Sequence, residues 1–193
     1  MKKTAFTLLL AFLALAWCRG DDNDAPRQRI NWNTDTTLLS HPYYITATLQ
    51  QSSIGQNLRF DFMAEKSQQT WTMVLIKIDS PLERTWVAVQ ISLRAKLPAG
   101  LRLSCALEED DEVTYESQWE AESSDNFTTV TLPLSKFAIS PWCRKKDKDA
   151  KLDLDQVKTI LIGAIGDWSG SGDRNGEIEV KDIILLRELP APR

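Results

Sequence analysis

Chemistry needs side chains that can hold a proton, a metal or a nucleophile, and this chain has many carboxylates but only one imidazole. His41 is its single imidazole, in Ser40-His41-Pro42-Tyr43. A lone imidazole serves Ser40 or a cysteine only when a third group orients it, and the sequence places no such group. His41 therefore reads as a surface-loop residue. The runs Glu108-Glu109 and Asp110-Asp111-Glu112 have the residue types of an acid and base for glycoside cleavage. As neighbours at a hairpin tip they read as solvated, with nothing to push their pKa values apart. No phosphate loop, Cys-x-x-Cys or nucleophile elbow is present. The chain is not expected to be an enzyme.

Binding is better provided for. There are seven Trp against six Phe and three Tyr. Flat rings stack on sugar faces while polar neighbours take the hydroxyls. Tyr115, Ser117 and Trp119 share one strand face, with Glu116, Gln118 and Glu120 on the other. Trp142 and Trp168 stand in loops rich in polar residues. Tyr115, Trp119, Trp142 and Trp168 are thus the candidate ligand-binding residues. The alternative for the first two is core packing, and for the last two a plug closing one end of the fold. Trp71 and Trp86, within or beside strands, read as core. Asp182 falls in phase with Ile178, Val180, Ile184 and Leu186, so strict alternation points a carboxylate inward, where it must be paired or liganded. A bulge that turns it outward is the alternative. Asp167, Asp173, Asn175 and Glu177 have oxygen side chains, but their spacing does not fit an EF-hand.

The elements that must position these residues are strands. Period-two alternation dominates and no long helical pattern appears. Val87, Val89, Ile91 and Leu93 alternate with smaller or polar residues, as do Leu101, Leu103, Cys105 and Leu107, with a turn at Pro98-Ala99-Gly100 between. Further strands are expected at Tyr43–Gln50, Leu58–Phe62, Trp71–Ile78, Glu112–Ala121, Phe127–Leu132 and Glu177–Arg187. Leu154–Lys158 suggests a single helical turn. The run Thr159–Ile165 is nearly all apolar or small, which predicts a central strand covered on both faces. Nine or ten strands with no helices to cover a parallel sheet predict an all-β fold, an antiparallel β-sandwich or jelly roll. Residues 31–189 read as one such domain.

The beginning of the chain reads as an address. Met1-Lys2-Lys3 and the apolar run Ala5–Trp17 have the form of a secretory signal, too short to span a bilayer. Ala14-Leu15-Ala16 suits ordinary cleavage, making residues 1–16 a signal peptide. Leu15-Ala16-Trp17-Cys18 resembles a bacterial lipobox, which would remove 1–17 and place lipid on Cys18. Residues 17–30 then form a polar tether. Export to a periplasm, cell envelope or extracellular space is expected, with membrane contact only through that N-terminal lipid. Three cysteines are an odd count in an oxidising compartment. If Cys18 carries lipid, Cys105 and Cys143 can pair, and closing that loop is worth roughly 4 kcal/mol. Otherwise Cys105 is a small buried hydrophobe and Cys143 a free loop thiol. The net charge of −4 and the lack of a basic block exclude a nucleic-acid partner.

Several segments together resemble a known family. Phe127-Thr-Thr-Val-Thr-Leu-Pro-Leu-Ser-Lys-Phe137, Leu152-Asp-Leu-Asp-Gln-Val-Lys158 and Gly176-Glu-Ile-Glu-Val-Lys-Asp-Ile183 are similar to successive motifs of galactose-binding-like jelly rolls. Leu101–Tyr115 suits the hairpin of the same family. Its members include family 11 carbohydrate-binding modules and the domain of the complex I intermediate-associated proteins. The resemblance implies a jelly roll and a non-catalytic binding role, for a glycan or, alternatively, an envelope protein that the domain helps to assemble. It requires no cofactor, but it implies a structural calcium near Asp182.

Overall fold

Alternating apolar residues form strands because one face of the pleat can then be buried and the other left to water. The computed structural model describes residues 27–30, 36–40, 45–62, 67–120, 123–145, 147, 149–168 and 173–191. Within them lie β1 (Arg27–Arg29), β2 (Thr36–Ser40), β3 (Ile45–Gln51), β4 (Gln56–Phe62), β5 (Ser67–Lys77) and β6 (Ala88–Lys96). β7 (Leu101–Glu109), β8 (Thr114–Trp119), β9 (Thr128–Pro133), β10 (Ala138–Ile139), β11 (Val157–Trp168) and β12 (Asn175–Leu186) follow. The signal peptide, Cys18 and His41 lie outside the described residues.

The strands make two six-stranded antiparallel sheets. The first runs β3-β4-β12-β6-β9, with β1 paired to β12. The second runs β10-β8-β7-β11-β5-β2. This is the antiparallel sandwich that the alternation and the resemblance predicted. Leu58, Ile91, Ile178 and Ile183 of the first sheet and Val74, Leu103, Leu107 and Ile160 of the second meet in one core between them. Each such side chain, fully buried, stabilises the fold by about 1.5–3 kcal/mol relative to exposure.

β11 is central, as its composition predicted, with β7 on one side and β5 on the other. Its even positions, Ile160, Ile162 and Ala164, join the core between the sheets. Its odd positions, Leu161 and Ile165, join a second apolar cluster on the outer face with Met73, Ala106, Leu39 and Trp71. Gly163 lies among these odd positions. A Cβ there would stand 2.0 Å from the carbonyl oxygen of Thr72, so only glycine lets β5 and β11 approach this closely. The predicted helical turn before β11 is a single 3-10 turn, Leu154–Gln156.

Two differences have plain physical reasons. Arg27–Arg29 lies within the stretch read as tether, yet it pairs with Leu186–Ile184, and Ile30 enters the core. Exposed, charged residues at a sheet edge carry no apolar alternation to reveal a strand. Second, the register of β12 against β6 shifts between Val180 and Asp182. The buried positions change phase there, from Ile178 and Val180 to Ile183 and Leu185. Asp182 is therefore not turned into the core. It pairs with Arg29, Oδ1 to Nη2 at 3.1 Å.

Candidate functional site

The outer face of the second sheet is unusual because it is not polar. Direct cross-strand partners share a face, so the pairings Leu161 with Ala106, Ile165 with Trp71 and Met73 with Leu39 define one apolar surface across four strands. Over it opens a cleft of about 170 Å³. One side is this aliphatic floor with Trp71. The other comes from Glu108 at the end of β7, Thr114 and Glu116 on β8, and Ser140, Trp142 and Cys143 just after β10. Trp71 and Trp142 enter from opposite sides of the β7–β11 pair. Trp142 is 42% exposed, whereas Trp71 is half-buried.

The segment carrying Trp142 is held by polar contacts. Ser140 Oγ donates to Glu116 Oε2 at 3.1 Å and accepts the Trp142 backbone N–H at 3.3 Å. Glu116 also accepts Gln118 Nε2 at 2.6 Å. The Tyr115 hydroxyl donates to the Asp147 carboxylate. Asp147 in turn accepts the N–H groups of Asp149 and Lys151. The bond from Tyr115 is the main cause of a lowered Asp147 pKa, while burial first and then Asp147 raise that of the Tyr115 phenol. Lys145 pairs with Glu112 at 3.3 Å.

The structure divides the four candidate rings. Trp142 is on the cleft. Tyr115 is buried in the core and Trp119, half-buried, packs against it. Their shared strand face is the inner one, and the outer face carries Glu116 and Gln118, paired with Ala106 and Ser104. Trp168 is buried at 2% exposure, with the Arg174 guanidinium 5.6 Å from its ring centre. It packs into the core instead of presenting its face to a ligand. Trp71, read as core, is the second ring of the cleft, on the side opposite Trp142. Its strand is apolar on both faces, so alternation could not separate the cleft side from the inner side. Trp86 is core, as read.

The carboxylates also differ from the hairpin-tip picture. Glu108 and Glu109 project to opposite faces and neither is freely solvated. Glu108 lines the cleft, and burial, then Glu112, raises its pKa. Glu109 is 5% exposed and accepts the Asp153 N–H at 2.6 Å; burial, the larger cause, raises its pKa. Cys105 and Cys143 are both free thiols. Cys105 alternates with Leu103 and Leu107 into the interior, while Cys143 is a loop residue directed at the carbonyls of Glu112 and Lys145. The conditional pairing is not made in this structure, and the two cysteines take the alternative roles of buried hydrophobe and free loop thiol. Burial pushes the Cys105 thiol up to about 12.

The family resemblance implied a structural calcium near Asp182. That carboxylate is committed to Arg29, and among the described residues no group of three or more His, Cys, Asp or Glu is placed to hold a metal ion. Among the described residues the surroundings of Asp182 do not complete a calcium site. Among the described residues no helix is long and apolar enough to cross a membrane.

A two-layer antiparallel sandwich of this kind is the architecture of jelly-roll carbohydrate-binding modules. Among solved structures, the chain is similar to the family 11 carbohydrate-binding module of the cellulosomal cellulase Lic26A-Cel5E of Clostridium thermocellum. The TM-score is 0.58 at 13% identity, over 86% of this chain and 98% of that one. It is also similar to a family 11 module from Clostridium thermocellum solved in complex with a beta-1,3-1,4-mixed-linked tetrasaccharide, with TM-score 0.54, 12% identity, and coverage of 83% and 95%. The agarase AgWH50C gives TM-score 0.54 at 9% identity, over 87% of this chain and 25% of that one. No family model and no curated protein matches the sequence. At these identities the likeness establishes the fold.

Proposed function

We propose that this chain is a non-catalytic carbohydrate-binding domain whose ligand lies in the cleft on the outer face of the second sheet. The observation that carries the reading is Trp142, an exposed indole at the rim of a cleft with Trp71 and an aliphatic floor on one side and carboxylates and hydroxyls on the other. A pyranose has the matching amphipathy, with C–H groups on its faces and hydroxyls around its edge. The similar structures named as binding modules, one of them holding a tetrasaccharide, support the same reading. Export through residues 1–16, with lipid on Cys18 as the alternative processing, belongs to the proposal. The mass of the mature protein distinguishes the two.

Native gel electrophoresis through gels containing mixed-linked β-glucan, agarose, xylan or chitosan tests the binding. Retardation by at least one glycan is expected, with loss of that retardation in Trp142→Ala. Unchanged mobility in every gel overturns the reading. Release of reducing ends from the retarding glycan would overturn the non-catalytic part.

A further inference from the structure

The charge of the cleft is one-sided. Glu108 and Glu116 line it, and among the described residues no lysine, arginine or histidine does. Arg102, on the strand that carries Glu108, is paired with Glu120 at 2.9 Å, and Lys145, two residues beyond Cys143, is paired with Glu112. Glu108 makes no hydrogen bond or ion pair among the described residues, although burial and Glu112 already disfavour its charge.

The polar wall is also poor in donors. Glu116 is buried, and its carboxylate occupies the Gln118 amide and the Ser140 hydroxyl as donors. What remains for a ligand is mostly acceptor oxygen, on two carboxylates. A cleft of about 170 Å³ takes one ring-sized group, since a cavity of roughly 150 Å³ holds benzene. The group that suits this lining is a ring bearing a cation. An ammonium carries only donors, is bound by charge-assisted hydrogen bonds to carboxylates, and is attracted to an indole face.

We propose that the cleft selects a glycan containing an amino sugar, with the protonated amine against Glu108 and Glu116 and the ring face against Trp142. The proposal rests on the glycan-binding reading of the same cleft and narrows its ligand to the cationic class. A uronic acid or sulfated sugar would set a third negative charge beside two carboxylates, and N-acetylation would remove the charge that the carboxylates recognise.

Titration calorimetry of the protein at pH 6 and low salt, with a glucosamine hexamer, its fully N-acetylated counterpart and cellohexaose, tests this. The glucosamine hexamer is expected to bind about tenfold more tightly than either neutral hexamer, a preference of the size charge-assisted contacts give. Raising the salt is expected to shrink the preference. Glu108→Gln is expected to reduce it to about threefold or less by removing one of the two charges, with a melting temperature no lower than the parent's. Equal or tighter binding of either neutral hexamer overturns charge selection while leaving the glycan reading intact. No binding of the glucosamine hexamer overturns it as well, and the gels then decide separately whether a glycan binds at all.

Discussion

Replacing Trp142 by alanine separates ligand binding from folding. A tryptophan side chain offers up to about 250 Å². With the residue 42% exposed, roughly 100 Å² of ring remains in water and available to a ligand. A sugar stacked on one face covers about half of that, and at about 25 cal/mol per Å² the contact is worth on the order of 1.3 kcal/mol. That corresponds to an affinity loss of about tenfold. Stability should change little, because the contacts that fix the segment belong to Ser140, Glu116, Tyr115 and Asp147. Titration of parent and Trp142→Ala with the best-retarding glycan, beside thermal melts of both, reads the two quantities apart. Parental affinity in a folded Trp142→Ala protein would refute the placement of the ligand on this ring.

Other expectations follow from contacts away from the indole. Glu179, whose side chain is 3% exposed, accepts Arg94 Nη2 at 2.6 Å and the Ser52 hydroxyl at 2.6 Å, while Arg94 is 40% exposed. Arg94→Ala strands a buried charge and should cost about 3–5 kcal/mol. Glu179→Ala leaves Arg94 free to reach water and should cost less, about 1–2 kcal/mol; urea melts showing the reverse order would contradict this. Gly163→Ala should destabilise by at least about 3 kcal/mol, since backbone, not a yielding side chain, occupies the space. In the native protein a thiol reagent should modify Cys143 and spare Cys105 until denaturant is added, and a Cys105–Cys143 disulfide in the mass spectrum would refute the free-thiol assignment. Glu108 has a folded pKa above its unfolded one, so its contribution to stability is present at acid pH and lost as pH rises through the folded value. Glu108→Gln should therefore raise the melting temperature at pH 7–8, with the gain vanishing toward about pH 4.

Much of the sandwich was legible because each sheet has one face in a common core, and period-two alternation reports that directly. β6 and β7 were read within a residue or two of their bounds, and the central β11 within three. The site was less legible because it lies where alternation fails. Trp71, Met73 and Leu75 share β5 with the inward Val74 and Ile76, so both faces look like core. Tyr115 and Trp119 were correctly placed on one face, but a period of two does not say which face is inside. The pairing of Glu116 with Ala106 settles that. At β12, two consecutive polar residues, Lys181 and Asp182, interrupt the pattern; such a pair is what a bulge leaves in a sequence. Trp142 was legible for the opposite reason, as a large ring in a polar loop with no strand pattern to explain it.

The short β1 has a mechanical consequence. Its antiparallel match of Arg27 with Leu186 brings the two ends of the folded unit to one spot, on the sheet opposite the cleft. An attachment made through either of these ends would hold the domain by its back and let the cleft face outward. Tension applied between those two ends would open the pairs of β1 one after another, like a zip, so load on a tethered domain would be released at its attachment point before it reached the strands that shape the cleft.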